Sequence, residues 1–497
     1  MVPPFNQILW LLSPELLLLL TALLILALEL LPGIERGDWL LRVTFGGLLL
    51  ALVATVSLWG VEVQVLSLLA ADAFSLAVKA LGLIATAVVL CISDDYLQHH
   101  NFSRGPYYAL LIFSALALGL LAAATDLILI FLAFDLLSLT GYALAGYARK
   151  DPQGSEAALK YFIYGTVLSA MMLFGLSWIY GVTGTTDLQQ VAGILRGASV
   201  FGYPLQGRTA EAVLRPVVLP ALIMVGAGFA FKVAAAPFHQ WAPDVYEGSP
   251  DPVTALIAVG PKIAGFAVII RFTMILLPLH LQVGLDWQVL LTTFAVVTMI
   301  LGNLMALWQT NVKRLLAHSS VAQVGYILIG IAVGTPRGIT AALLHLSAYT
   351  VTHLGAFTVV TVLACNLDTH VVDDFEGLHQ RSPGLAFAML IFLLSLVGIP
   401  ATVGFMGKLW LFSSAMESGQ GWLAVLGVVN SVISLGYYWR VIRAMYLRAP
   451  TQEEGIAVLP AFRVALTLTL TAVLALGLLP GLLLPLLEEA AAAFFGG

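Results

Sequence analysis

Long apolar runs separated by short polar connections dominate this chain. They fall near residues 8–31, 39–59, 73–93, 107–124, 126–148, 156–182, 213–236, 253–277, 286–309, 314–333, 339–365, 385–412, 421–447 and 458–484. A bilayer core takes about 20 apolar residues per helix, so the pattern predicts fourteen membrane spans. The runs are continuous and rich in Leu and Ala, which predicts helices rather than a barrel. The longest connections, around 183–212 and 366–384, are too short to fold alone, so no soluble domain is expected.

Two runs are interrupted in the same way. Span 7 carries "FKVAAAPFH", where Lys232 follows a long apolar stretch and Pro237 comes five residues later. Span 12 carries "GIPATVGFMGKLW", with Lys408 beside Pro400 and small residues. The two lie five spans apart. Five is odd, so a repeat of that length inserts upside down, and paired broken helices in inverted halves point to a transport pathway. The expected organisation is N-terminal helices over 1–106, a first five-helix repeat over 107–277, a second, inverted repeat over 286–447 and a last helix over 458–497. The fold class read from the pattern is all-α, polytopic, with helices 7 and 12 discontinuous.

Composition supports a membrane setting. Of 497 residues, 60% are hydrophobic and 10% charged, against about a quarter charged in soluble domains. The first apolar run has no basic residue before it and is long enough to span, so it reads as a helix rather than a secretory signal. Cys91 and Cys365 lack metal-ligand neighbours and read as buried, inert thiols. Basic residues in short loops set orientation. The odd-numbered loops hold or border Arg36, Arg42, Arg104, Arg149, Lys150, Lys313, Arg314, Arg381, Arg440, Arg443 and Arg448, the even ones Arg196, Arg208, Arg215 and Arg337. The odd loops are therefore expected in the cytoplasm and both termini on the other side. The net charge of −5 says little about partners; the bilayer itself is one, and no nucleic-acid partner is expected.

Charges inside spans cost of order 2.5–3.5 kcal/mol each on insertion scales. Asp135, in "LILIFLAFDLLSLTGYAL", is the one acid near the middle of a span, and Lys232, Lys262 and Lys408 are the central lysines. Lysine readily changes protonation state when buried, and a movable carboxylate beside it makes a switch. Asp135 is accordingly expected to pair with Lys232, with the four residues forming a proton relay. Lys79, Lys160 and Arg271 read instead as side chains snorkelling to an interface. His318, His345 and His353 sit among Ser319, Ser320, Ser347, Thr350 and Thr352, a pattern that suggests a hydrated polar path, with His345 the candidate relay. The acids of "HQWAPDVYEGSPDP" fit no metal spacing and read as a loop sealing the broken helix. There is no nucleotide-binding loop, CxxC cluster or GxGxxG fingerprint, so no cofactor or metal is expected in this chain.

With these residues in view, the chain resembles the antiporter-like membrane subunits of respiratory complex I. It is most similar to the subunit N family of NADH-quinone oxidoreductase, equivalent to mitochondrial and photosynthetic subunit 2. The most specific stretches are "DPQGSEAALKYFIYG", "FKVAAAPFHQWAPDVYEGSP", "KRLLAHSSVAQVGY" and "GIPATVGFMGKLWLF". The resemblance implies that Asp135 is the family's fifth-span acid, Lys232 its partner, Lys262 the central lysine and Lys408 the end of a hydrophilic axis. Asp135 stands where glutamate is usual, one methylene shorter. Lys408 argues against subunit M, whose axis ends in glutamate, and the chain lacks the lateral helix typical of subunit L.

The resemblance also implies partners: other antiporter-like and small membrane subunits, and peripheral redox subunits holding FMN, iron–sulfur clusters and quinone. The implied setting is a bacterial cell membrane, with a photosynthetic membrane kept open. The rival readings are a subunit of a multisubunit Na⁺/H⁺ antiporter, a relative in a membrane-bound hydrogenase, and a scaffold whose buried charges only fix helix packing.

Overall fold

A computed structural model describes residues 4–30, 36–196, 199–200, 203–204, 208–276, 287–367, 369–450 and 455–495, with backbone alone at 36–38, 196, 199–200, 203–204 and 208–215. The side chains of Arg36, Arg196, Arg208 and Arg215, and the predicted span ends at 31, 277 and 286, lie outside the described residues.

In chain order the helices are α1 (Phe5–Leu11), α2 (Ser13–Leu30), α3 (Arg36–Ser57), α4 (Ala73–His99), α5 (Gly105–Ala123), α6 (Leu127–Ala145), α7 (Pro152–Thr183), α8 (Leu188–Arg196), α9 (Arg208–Val233), α10 (Trp241–Gly248), α11 (Asp251–Leu276), α12 (Trp287–Ala306), α13 (Val312–Val333), α14 (Pro336–Leu367), α15 (Leu378–Arg381), α16 (Pro383–Val397), α17 (Val403–Glu417), α18 (Gly421–Leu447), α19 (Pro460–Leu478) and α20 (Leu484–Ala492). A short antiparallel ribbon pairs Val63–Val65 with Leu69–Ala71. Among the described residues, thirteen helices are long and apolar enough to cross a membrane, and Pro383–Val397 is a shorter apolar helix. The fold is that of an all-α, multi-span membrane protein.

The helix starts follow from local chemistry. An apolar helix leaves its first backbone N–H groups unpaired, and a short polar side chain just before it accepts them. Asp72 does this for α4, Asp126 for α6, Asp151 for α7 and Asn311 for α13.

Helices α11 and α13 are wholly buried and form the centre of the bundle. Around them pack α4, α9, α10, α14 and α17. Helix α7 turns a row of large apolar residues outward, including Phe162, Val167 and Phe174. Such a face suits lipid or a neighbouring membrane subunit.

Both interrupted runs break. The first opens after Val233, where Ala234 takes a left-handed φ of 59°, and helix resumes at Trp241. The peptide bond between Ala236 and Pro237 is cis. The second opens after Val397, with Gly398 at φ 91° and Ala401 at φ 72°, and helix resumes at Val403. At Gly398 the chain leaves α16 as many helices end, with the Gly398 and Ile399 N–H groups donating back to Leu394 O, each at 3.0 Å.

Two expectations are corrected here. Lys79 does not snorkel: it is buried against Glu15, Nζ to Oε1 2.5 Å, because α2 and α4 flank α5 at the same depth. Arg271 is likewise buried, donating to both oxygens of Asp72 at 2.8 and 3.0 Å and to Ala122 O at 3.2 Å. Lys160 is part-exposed, in ion pairs with Glu156 and Asp244. Cys91 and Cys365 are free thiols, partly rather than fully buried.

Helices α12 and α13 pack backbone against backbone. A Cβ on Gly302 would lie 2.5 Å from the Ala322 backbone N, and one on Gly325 2.6 Å from the Met299 backbone N. Small residues let backbones approach closely in membranes, where packing drives association. Gly302→Ala must push these helices apart and is expected to cost about 1–3 kcal/mol. Thermal unfolding in detergent checks this, against Gly226→Ala, whose Cβ would meet nothing within 4 Å. An unchanged melting temperature in Gly302→Ala would count against the close packing.

Candidate functional site

Six cationic side chains are buried among the described residues: Lys79, Lys232, Lys262, Arg271, Lys313 and Lys408. Three of them are held by carboxylates. Lys79 has Glu15, Arg271 has Asp72, and Lys313 has Asp251 at 2.8 Å. Lys232, Lys262 and Lys408 form no ion pair among the described residues, yet are only 1%, 1% and 3% exposed.

Lys232 stands in the last turn of α9, just before the break. Its Nζ donates to Ser138 Oγ at 2.7 Å and to Phe134 O at 3.3 Å, and lies 4.6 Å from the Phe134 ring centre. Asp135 was expected within direct or single-water reach of Lys232; no direct ion pair joins them among the described residues. Phe134 and Ser138 are four residues apart on the buried face of α6, while Asp135 is only half-buried at the edge of that face.

The wholly buried α11 carries Lys262, three turns into the helix. Its Nζ meets three hydroxyls: Ser320 Oγ of α13 at 2.5 Å, Tyr349 OH of α14 at 3.0 Å and Tyr246 OH of α10 at 3.3 Å. One amine thus ties three neighbouring helices to α11. The His353 ring stacks on Tyr349, with centroids 4.1 Å apart.

Lys408, on α17, reaches back across the second break. It donates to Leu396 O at 3.0 Å and Val397 O at 2.9 Å, the last carbonyls of α16, and to Ser431 Oγ at 3.0 Å. Carbonyls at a helix C-terminus lack intrahelical donors and carry the negative end of the helix dipole, so they suit an ammonium. His345 is connected to the same place. Its Nε2 donates to Gln323 Oε1 at 2.9 Å, and Gln323 Nε2 donates to Leu396 O at 3.1 Å. His345 Nδ1 has no hydrogen-bond partner and faces Gly407, where a Cβ would come within 2.6 Å.

His318 and His353 are buried, but neither bonds to the three lysines among the described residues. The acidic segment after the first break is fully paired. Asp244 meets Lys160 and Arg314, Glu247 meets Arg314, and Asp251 meets Lys313 and His370. These pairs close the break with ions and leave no metal-like cluster among the described residues.

The sequence reading did not single out Ser138, Tyr246, Gln323 or Ser431. Their partners lie on other helices, and only a hydroxyl or amide inside an apolar run marks them in the sequence. Ser320 was already part of the expected polar path.

Lysines sharing a bundle core with broken helices define the class: an antiporter-like membrane subunit. The family model described as "NADH:quinone oxidoreductase/Mrp antiporter, TM" matches residues 124–434. "NADH-quinone oxidoreductase subunit N" of Trichlorobacter lovleyi is 37% identical over 96% of this chain and 96% of its own length. "NAD(P)H-quinone oxidoreductase subunit 2" of Synechococcus sp. is 38% identical over 96% of this chain and 90% of its own. A chain of respiratory complex I from Thermus thermophilus with bound aureothin superposes with a TM-score of 0.78 at 32% identity, covering 96% of this chain and 99% of that one. The chain belongs to the subunit N family of NADH-quinone oxidoreductase.

Gln323 links His345 to the α16 terminus. Gln323→Ala leaves the His345 Nε2–H without its acceptor and Leu396 O short of one donor, and a buried unpaired group costs about 1–3 kcal/mol. Thermal unfolding should show a loss of that order; a neutral result would mean the histidine finds another partner.

Proposed function

We propose that this chain is the antiporter-like, proton-translocating membrane subunit of an NADH-quinone oxidoreductase, and that Lys232, Lys262 and Lys408 carry the proton. One observation supports this most: among the described residues these three buried amines meet hydroxyls and carbonyls but no carboxylate, whereas the other three buried cations are all locked to carboxylates. An ammonium donates three hydrogen bonds, while a neutral amine also needs a donor. A hydroxyl serves either form by turning its hydrogen. An amine among hydroxyls can therefore pass its proton on without leaving a buried group unpaired, whereas a lysine that faces a carboxylate would leave that buried charge uncompensated.

Asp135 acts at a distance in this reading. Its charge steadies the Lys232 ammonium through space, and Ser138 holds the amine meanwhile. His345 and Gln323 join the central region to Lys408, the end of the axis. The two broken helices belong to two inverted five-helix repeats, α5 to α11 and α12 to α18, with α16 and α17 together forming one span and bringing the total to fourteen. The chain supplies no redox group. FMN, iron–sulfur clusters and quinone belong to partner subunits, and neighbouring membrane subunits lie against its apolar sides. The membrane is the bacterial cell membrane, with both termini on the non-cytoplasmic face.

Two substitutions of Lys408 test the relay in the assembled complex. Lys408→Arg keeps a charge and several N–H donors, but guanidinium does not release its proton. Lys408→Ala removes both. Proton pumping in membrane vesicles is expected to fall strongly in each while the complex still assembles. Full pumping with arginine would leave Lys408 only a helix-capping role. At the other end, Asp135→Asn should slow pumping and Asp135→Glu should preserve it, since the amide loses the charge acting on Lys232 and glutamate keeps it. Normal pumping by the Asn variant would remove Asp135 from the relay.

Sidedness has its own test. Cysteines placed singly at Lys150 and Gln189, both exposed, should react with an impermeant reagent from opposite sides of the membrane. Labelling of both from one side would overturn the proposed topology.

A further inference from the structure

A cavity of about 1,090 Å³ opens at one end of the bundle, between the loops that follow α4, α6, α10, α12 and α14. Its lining mixes apolar side chains such as Phe102 and Pro106 with polar and charged ones, Arg149 and Lys150 among them. Polar space of this size holds water. In the orientation proposed above, it faces the cytoplasm.

Three ionisable groups close its inner end. Asp251, at the start of α11, and Lys313, at the start of α13, are each 2% exposed, and Lys313 Nζ lies 2.8 Å from Asp251 Oδ1. The same oxygen accepts from His370 Nε2 at 2.9 Å. The His370 side chain is 27% exposed and belongs to the cavity lining. Its loop is fixed by main-chain bonds to the start of α13, Val312 N to His370 O at 2.7 Å and Val372 N to Thr310 O at 2.9 Å. The imidazole is thus held with one nitrogen on a buried carboxylate. Ser249 also belongs to the cavity lining, and its Oγ is buried without a hydrogen-bond partner among the described residues.

We propose that His370, positioned by Asp251 and Lys313, is the group that collects protons from the cavity and loads them toward Lys262. This rests on the proton-translocating reading above. The step is a proton transfer alone. The imidazole takes a proton from hydronium or buffer in the cavity, and the Asp251 carboxylate stabilises the imidazolium. The proton then passes on through water and the imidazole returns to neutral. Lys313 offsets the charge of Asp251, so the carboxylate attracts the proton without trapping it.

The route inward is short. Asp251 and Lys262 share α11, eleven residues apart, or roughly 16 Å along the helix. Between them, Thr254 Oγ1 donates to Tyr246 O at 3.0 Å, and Tyr246 OH meets the Lys262 amine.

Other ionisable groups face the site. Tyr96 of α4 and Cys365 of α14 approach Asp251. Glu247 of α10 is held by Arg314 and Asn311. Across the cavity stand His100, Asp151, Arg149 and Lys150. Tyr96 also lines the cavity and meets the Asp251 backbone, but imidazole is the side chain that ordinarily changes charge near neutrality, and His370 is the one that meets the Asp251 carboxylate from the cavity among the described residues.

The test uses the assembled complex in membrane vesicles, with electron transfer and membrane potential read together. His370→Ala should lose at least half the potential generated per electron transferred. The deficit should grow as pH rises, since protons then become scarce at the collecting site. Added imidazole, small enough for the cavity, should restore much of the loss in His370→Ala and leave the unaltered complex unchanged. Asp251→Asn should show a similar deficit that imidazole does not repair. A cysteine at Gln153, on the cavity wall, should lose pumping when modified by a bulky impermeant sulfonate reagent, which keeps the question open to test should Asp251→Asn fail to assemble. Lys262→Ala separates the two readings. If it stops pumping while His370→Ala and the blocked cavity pump normally, the loading site is wrong and the relay stands. If Lys262→Ala itself pumps normally, the relay reading fails. A His370→Ala deficit that is independent of pH and untouched by imidazole would make the three residues a structural staple and overturn the proposal.

Discussion

An amine buried in a membrane protein must find partners for every N–H it carries, and this requirement shapes the bundle. Water is absent from the hydrocarbon, so the partners have to be built in. Two kinds occur here. Carboxylates hold Lys79, Arg271 and Lys313, and these cations bind one segment to another: α2 to α4, α11 to the start of α4, α13 to the start of α11. Breaking one such pair would leave an uncompensated charge, which is strongly destabilising. Hydroxyls and carbonyls hold Lys232, Lys262 and Lys408. The same residue type therefore does two jobs in one fold, and the partner decides which.

Carbonyls without an intrahelical donor occur where a helix ends, which accounts for the place of Lys408 beside the second break. The two breaks solve the problem differently. At the second, Lys408 comes after the gap and reaches back to Leu396 O and Val397 O. At the first, Lys232 comes before the gap, and its own helix end is capped by others. Ala234 N–H donates to Phe231 O, Ala235 N–H to Ala230 O, and Trp241 Nε1–H to Phe231 O. Lys232 is consequently free to turn away toward α6 and Ser138. Breaks that look alike in sequence, lysine with proline and small residues, thus leave the two amines in unlike surroundings.

Much of this was legible in the chain. The apolar runs place the helices to within a few residues, and the two "lysine plus proline" interruptions locate the breaks, because proline and glycine act on the local backbone alone. Partner identity was not legible. Asp135 is adjacent to Phe134 in sequence, yet the rotation of α6 turns Phe134 and Ser138 inward and leaves Asp135 at the flank. Glu15, near the start of an apolar run, gave no sign of the lysine 64 positions later that it meets across α5. Snorkelling was the sequence reading for Lys79 and Arg271 because depth can be judged from position in a run, whereas the presence of a facing carboxylate depends on how separate helices pack. The acidic segment after the first break, expected as a seal, holds its charges in ion pairs with Lys160, Arg314 and Lys313, and its end lines the cavity.

The three lysines of the axis also differ among themselves, and the difference has a direction. Two carbonyls and one hydroxyl surround Lys408, and a carbonyl can only accept, so this site favours an amine that donates. Lys232 has one hydroxyl and one carbonyl, with a carboxylate beyond contact distance. Lys262 has hydroxyls alone, from three helices. The middle amine is therefore the one best fitted to either protonation state, and it is also the one on which α10, α13 and α14 converge. A small shift of any of these helices changes which hydroxyls reach it. Movement at the first break, through α10 and Tyr246, and movement of α14, through Tyr349, both act on the same amine. In the relay proposed above, that convergence is the physical means by which proton release at the centre depends on the state of the two ends.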